Sequence, residues 1–246
     1  MDPFARQGFD VVRGAVPRAR VAAMRARAEA DLAADLGPLE REAAVGYPGA
    51  PESESAPGGR TVRRLLRAYA RDAAFREHVH DPTIVARVAA ALGEEPVRFC
   101  PAHHNCVMTK QPTHSSDTGW HRDIRYWSFA RPNLVTTWLA LTEESSEQGS
   151  LWVVPGSHRL DLEAERFDAM SFLDPDRPEN AVLLREAVSV ELAPGDLLLF
   201  HARLLHFATR NHTARPKLAA VFTFLGGDNA PVPGTRSASL RSVALS

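Results

Sequence analysis

Gly119-Trp120-His121-Arg122-Asp123-Ile124-Arg125-Tyr126-Trp127 is the stretch on which the reading of this 246-residue chain turns. In an extended backbone, side chains two residues apart point to the same side, so His121 and Asp123 would face one point together. A third imidazole from elsewhere would complete a two-histidine, one-carboxylate face. That face leaves coordination positions open and is the one that non-haem Fe(II) oxygenases use. With ten histidines and thirty acidic residues in the chain, a His-x-Asp arises about once by chance, so the motif gains weight only if its surroundings agree.

The missing imidazole has to come from the later part of the chain. His201 and His206, in Leu199-Phe200-His201-Ala202-Arg203-Leu204-Leu205-His206-Phe207, are the two candidates there. Spacing does not separate them, because either could project from a strand end.

On either side of this stretch, short β-prone runs succeed one another after Gly93. They are Val97 to Cys100, Cys106 to Thr109, Leu134 to Leu141, Leu151 to Val154, Val188 to Leu192, Leu197 to Phe200 and Leu218 to Phe224. Turn-forming pieces such as Val154-Pro155-Gly156-Ser157 and Ala193-Pro194-Gly195-Asp196 separate them. Before Gly93, Phe9 to Val12 reads as a strand, and Val21, Met24, Ala28, Leu32 and Leu36 recur at helical intervals after Pro17. A second helical region is expected from about Thr61 to Val79 and a third from about Pro82 to Leu92, stopped by Gly93. The arginines between Arg60 and Arg67 are read as the solvated face of that second helix. Residues 37–59, rich in Pro, Gly, Ser and Glu, read as a long loop of the lid or disordered type.

Helices first and strands after predict a β-sandwich or barrel braced by N-terminal helices, without βαβ units. At this length one domain is ordinary. The division expected is helical support and lid-like loop over 1–93 and the β core over 94–246. A net charge of −1 and a sequence pI near 6.8 give no pull towards nucleic acid or acidic membranes. Two cysteines cannot build a disulfide framework, and neither a signal-peptide core nor a peroxisomal ending is visible. A reduced, cytoplasmic setting is the expectation, and the sequence specifies no oligomeric state. Glu143, Glu144 and Glu147 are expected in a solvated turn, and His78, His80, His114 and His212 at the surface.

Three blocks resemble the phytanoyl-CoA dioxygenase family of Fe(II)- and 2-oxoglutarate-dependent oxygenases. They are Gly119-Trp120-His121-Arg122-Asp123 with Tyr126-Trp127; Trp138-Leu139-Ala140-Leu141 through Gln148-Gly149-Ser150 to Pro155-Gly156-Ser157-His158; and Pro194-Gly195-Asp196 through His206 to Asn211, Thr213 and Arg215-Pro216-Lys217. The opening Gly8 to Gly14 is similar too. The resemblance implies a double-stranded β-helix, the cupin-like jelly roll, in which His121, Asp123 and His206 hold iron and His201 does not. It implies Fe(II) as cofactor with 2-oxoglutarate and O2 as cosubstrates, and a small-molecule substrate that is hydroxylated or otherwise oxidised. Halogenating relatives carry a small residue where Asp123 stands, which favours hydroxylation here.

The family's arginine for the distal carboxylate of 2-oxoglutarate falls at Lys217, and a helping serine falls at Ala208. Lysine lacks the bidentate fork but can neutralise a carboxylate, so Lys217 is the expected partner, with Arg215 the alternative. Thr136 and His104 fall at further cosubstrate positions. Arg125, Tyr126 and Trp127 are expected to line the pocket mouth, where an aromatic wall with a cation suits a small acidic substrate. The departures at Lys217 and Ala208 leave open a second reading, a non-catalytic or cosubstrate-altered jelly roll that binds a small molecule.

Overall fold

The structure, a computed structural model, describes residues 3–245; Met1, Asp2 and Ser246, which enter the targeting-signal reading, lie outside the described residues. The chain opens with α1 (Pro3–Gln7), β1 (Phe9–Val12) and α2 (Arg18–Ala33), the last beginning directly after Pro17. Next come β2 (Leu39–Arg41), β3 (Val62–Leu66), α3 (Ala68–Arg71), α4 (Ala73–Val79) and α5 (Pro82–Leu92). Asp72 caps α4 by accepting from the Ala74 amide, and Asp81 caps α5 by accepting from Thr83 and Ile84, each satisfying amides a helix start leaves free. Gly93 ends α5 at φ 66°, the left-handed stop expected of it.

The remaining elements are β4 (Val97–Phe99), β5 (Asn105–Lys110), β6 (Thr118–His121), β7 (Leu134–Ala140), β8 (Leu151–Val153), α6 (Pro178–Leu184), β9 (Val188–Val190), β10 (Leu197–His201), β11 (His206–Ala208), β12 (Lys217–Gly226) and β13 (Val243–Ala244). They form two antiparallel sheets. The larger runs β1-β10-β7-β12-β5-β3-β2, with β4 on β12 and β13 on β4; the smaller runs β6-β11-β8-β9. Their facing surfaces enclose the core of a jelly roll.

One expectation fails before the first half of the chain is over. Residues 61–79 are not one helix. Val62–Leu66 is a strand that pairs with β2 and with β5, and Arg67 at φ 57° breaks the chain before two short helices begin. Arg63 and Arg64 therefore do not lie on the wet face of a helix. The strand is stabilised by β5, a partner far along the chain, which no local periodicity can reveal. Residues 37–59 likewise contain β2 and a short 3-10 turn at Glu42–Ala44.

Side-chain parity explains how the larger sheet serves two cores. All ten residues of β12 are buried, as in strands covered on both faces. Leu218, Ala220, Phe222 and Phe224 pack towards α2, α4 and α5, together with Val107, Leu139 and Leu199. Ala219 and Val221 point the other way, into the jelly roll with Cys106, Trp138, Leu198 and Phe200. By the same alternation Lys217 and, on β5, Lys110 point inward. His78, expected at the surface, is buried under α4 with its ring 5.7 Å from that of Phe222. No helix among the described residues is long and apolar enough to cross a membrane.

Candidate metal centre and its cavity

His121 is the last residue of β6, and Asp123 opens a 3-10 turn at Asp123–Tyr126. Between them Arg122 is extended (φ −121°, ψ 128°), so the alternation that aligns His121 with Asp123 persists through the junction. Arg122 points away and donates to the carbonyls of Ser157 and Leu160. Its buried guanidinium thus ties the motif to the Pro155–His158 turn. The Ile124 amide donates to Ala202 O at 3.0 Å, joining the turn to the β10–β11 connection.

The third imidazole is His206. β11 pairs with β6 so that His206 and His121 are directly opposed, and opposed residues on neighbouring antiparallel strands project to one side. Their rings lie 4.1 Å apart. His121, Asp123 and His206 each offer a ligand atom, all within 4.8 Å of one another. His201 follows the inward-facing Phe200 and so faces outward, where its Nδ1 accepts from the Arg203 amide and its ring lies near His158. Sequence spacing left these two histidines equal; strand parity separates them.

Hydrogen bonds prepare the donor atoms. His121 Nδ1 is 2.8 Å from Gly119 O, and His206 Nδ1 is 3.0 Å from Leu204 O. Each Nδ1–H is thereby committed to a carbonyl, which leaves the Nε2 lone pair for a cation. Both Nε2 atoms lie 3.8 Å from Asp123 Oδ1. Burial and the adjacent His206 push His121 down to about 3, and burial lowers His206. Burial thus biases both rings towards the neutral form that a metal ion would need. Burial favours the neutral acid at Asp123, but His104, followed by His206 and His121, outweighs it and holds the carboxyl well below its usual range. One carboxylate with two neutral imidazoles fits a divalent metal of the iron type.

Gly119 has a second role. A Cβ there would meet the Phe172 ring at 2.7 Å, and that ring packs on His121 and Tyr47.

The triad opens on a cavity of about 200 Å³. His104, Tyr126, Trp127 and Lys217, four of the expected site residues, line it. His104 Nε2 sits 3.1 Å from Asp123 Oδ2; burial opposes its protonation, yet the carboxylate raises it to about 9. Trp127 is buried and stacks on His103 at 4.8 Å, while the exposed Tyr126 donates to Met170 O. Thr136 is buried behind the triad, its hydroxyl 3.4 Å from Asp123 Oδ2.

Two expected residues are elsewhere. Arg125 turns outward onto the Phe167 ring, 3.7 Å from its centroid, because the 3-10 turn rotates it away from the strand face. Arg215 precedes β12, is exposed and pairs with Glu143 at 3.1 Å, which leaves Lys217 as the inward cation of that segment.

Lys217 is buried, but it is not free. Its ammonium lies 2.6 Å from Gly149 O and 3.3 Å from Glu144 Oε2. Glu144 is buried as well, contrary to the solvated turn expected of it, and also accepts from Trp138 Nε1 at 2.8 Å. Sequence reasoning also missed Lys110, Arg63 and Arg64, which line the same cavity. Parity within the Cys106–Thr109 run could have pointed to Lys110; nothing local marked the two arginines once their segment was read as a helix.

Comparison with known proteins identifies the family and the fold. The family model for phytanoyl-CoA dioxygenase (PhyH) matches residues 4–219. An ectoine dioxygenase from Halomonas elongata is 25% identical over 245 residues, covering 93% of this chain and 70% of that protein. Among solved structures, the non-haem α-ketoglutarate-dependent epimerase SnoN from nogalamycin biosynthesis superposes with a TM-score of 0.74 at 25% identity, over 99% of this chain and 92% of its own. EctD from S. alaskensis, solved with 2-oxoglutarate and 5-hydroxyectoine, gives 0.76 at 22% identity, over 94% and 76%; it supports the fold.

Proposed function

The chain belongs to the phytanoyl-CoA dioxygenase family, enzymes that work with non-haem iron and 2-oxoglutarate, and from that premise we propose that it hydroxylates an unactivated C–H bond of a small molecule, releasing succinate and carbon dioxide. The observation that carries this reading is the His121–Asp123–His206 constellation, with both imidazoles fixed by backbone carbonyls and presenting Nε2 to Asp123. Bound iron, with 2-oxoglutarate and O2, supplies the oxidising chemistry. The chain holds the ion through His121, Asp123 and His206. His104 and Thr136 hydrogen-bond the other oxygen of Asp123 and fix its orientation. Trp127, Phe200 and Leu151 give the cavity dry walls, and Lys217 offers a cation to the distal carboxylate of the keto acid.

The carboxylate at position 123 favours hydroxyl transfer, since it fills the position a halide would need. The likeness to an epimerase supports a wider set of oxidative outcomes on the same site, epimerisation among them. The purified protein with Fe(II), ascorbate and 2-oxoglutarate should release succinate under air. It should also develop the visible absorbance of an iron–keto-acid chelate without air. Absence of both would favour a ligand-binding jelly roll.

A further inference from the structure

The smaller sheet has a second face, turned away from the metal centre. Strand alternation sends the neighbours of His121, His206 and Val153 outward, and three of these neighbours are aromatic: Trp120 on β6, Phe207 on β11 and Trp152 on β8. Phe207 opposes Trp152 directly in the β8–β11 register. The Phe207 ring lies 4.6 Å from that of Trp120 and 6.3 Å from that of Trp152, so the three rings form one row across three strands. A groove of about 650 Å³ opens on this row, with Leu184 of α6 on one side. It is roomier than the 200 Å³ cavity at the triad.

The polar groups around the groove are unengaged. Glu147, Arg185 and His212 stand exposed at its rim, and among the described residues none of their side chains makes an ion pair or a hydrogen bond. The indole N–H groups of Trp120 and Trp152 likewise meet no acceptor among the described residues. The Thr209 hydroxyl, also in the lining, is buried with no partner. A buried hydroxyl left unpaired is costly, and a ligand group that reaches it removes that cost. Glu147 and Arg185 cancel in charge, so the rim selects neither an anion nor a cation.

We propose that this groove is a binding site for a neutral saccharide, with a sugar ring laid on the aromatic row and its hydroxyls met by Glu147, Arg185, His212 and Thr209. A pyranose has a flat C–H face, which suits the negative face of an aromatic ring, and a rim of hydroxyls that each donate and accept. The groove offers both surfaces together. A hydrocarbon would leave Thr209 and the rim unmet, and a charged ligand would find no net charge to balance its own. The volume falls within the range of about 300–1,000 Å³ that holds small ligands. This site goes beyond the oxygenase reading and needs neither metal nor keto acid, because it lies on the other side of the sheet and Trp152 is absent from the lining of the triad cavity.

Calorimetry and saturation-transfer NMR on the full chain test this with maltose, cellobiose and lactose as probes. At least one of the three should bind saturably, with its ring C–H protons receiving magnetisation from the protein. Trp152→Ala should weaken that binding at least about tenfold, and Trp152→Phe should keep most of it. Iron binding by Trp152→Ala should match the wild type, which shows that the sheet still folds. Arg185→Ala tests the rim without touching the packing and should also weaken the sugar. Three results would each overturn the proposal: no binding of any of the three sugars, unchanged affinity in both Trp152→Ala and Arg185→Ala, or displacement of the sugar by a lower concentration of indole-3-acetate, which would mark a site for aromatic acids instead.

Discussion

At one end of the cavity a single carboxylate, Asp123, meets the imidazoles of His104, His121 and His206; along the rest of the wall Lys110, Lys217, Arg63 and Arg64 meet Glu40, Glu42 and Glu144. The two regions solve the same problem, buried charge, in opposite senses. The carboxylate of the triad draws a proton onto His104 on one side and, on the other, stands beside two imidazoles kept neutral by burial, the side that invites a cation. The other wall sets four cations against three carboxylates and so invites an anion. A metal ion chelated by a dicarboxylate meets both demands in one 200 Å³ space, which is why the two regions are best tested against each other.

The largest effect should come from the triad. Asp123→Ala removes the only carboxylate among the proposed ligands and should lower metal affinity by at least about a hundredfold, judged by what lesser changes around metal ligands cost. Iron content after desalting and succinate release should fall together. A variant that kept its iron would mean that the metal is held elsewhere and that the contrast between the two regions is misdrawn.

Next in size is a change on the cationic wall that should cost stability. Glu144→Gln leaves the Lys217 ammonium buried without its carboxylate, and breaking a buried pair from one side costs about 3–5 kcal/mol. Urea unfolding measures it. Glu144→Gln combined with Lys217→Met should recover most of that loss, since no charge then lacks a partner. A single variant as stable as the wild type would show that the pair is not what holds Gly149 and β12 together.

These two regions were unequally visible in the sequence. His121 and Asp123 are near neighbours whose common direction follows from extended backbone, so the sequence alone showed them as a pair. His206 needed either the family likeness or the β6–β11 register. The cationic wall depends on strand order: β5 lies beside β12, and β3 beside β5, across long stretches of chain. Glu144 looked like one acid among several in a turn, and only the approach of Lys217 and Trp138 gives it a buried partner. Arg63 and Arg64 were lost when Val62–Leu66 was read as helix. Arg125 was misplaced for the converse reason, a turn that interrupts the strand just after Asp123.

Acid–base behaviour offers a smaller effect that still separates the regions. Lys110 has a folded-state value of about 7 against 10.5 for an unperturbed lysine. Between those two values the unfolded chain holds the proton more tightly than the folded one, so stability should rise with pH across that window, by at most about 1.4 kcal/mol per pH unit. Lys110→Met should remove that slope and, near neutral pH, melt at a higher temperature than the wild type. Parallel pH profiles for the two proteins would mean that Lys110 is paired or hydrated in the folded state.

The smallest effect belongs to Thr136, and it marks where the triad's region ends. The family likeness places Thr136 beside the cosubstrate, yet its hydroxyl lies 3.4 Å from Asp123 Oδ2, an oxygen that His104 already approaches at 3.1 Å. A long hydrogen bond to an acceptor with a better donor contributes little, and Thr136→Val keeps the β-branched shape that the strand packs. The expected cost is below about 1 kcal/mol in stability, with metal content and 2-oxoglutarate affinity unchanged. Chelate titration of this variant is the sharp measurement. If affinity for 2-oxoglutarate dropped roughly tenfold, about the strength of one hydrogen bond, while iron stayed bound, Thr136 would be touching the cosubstrate and not Asp123. The keto-acid region would then reach behind the triad.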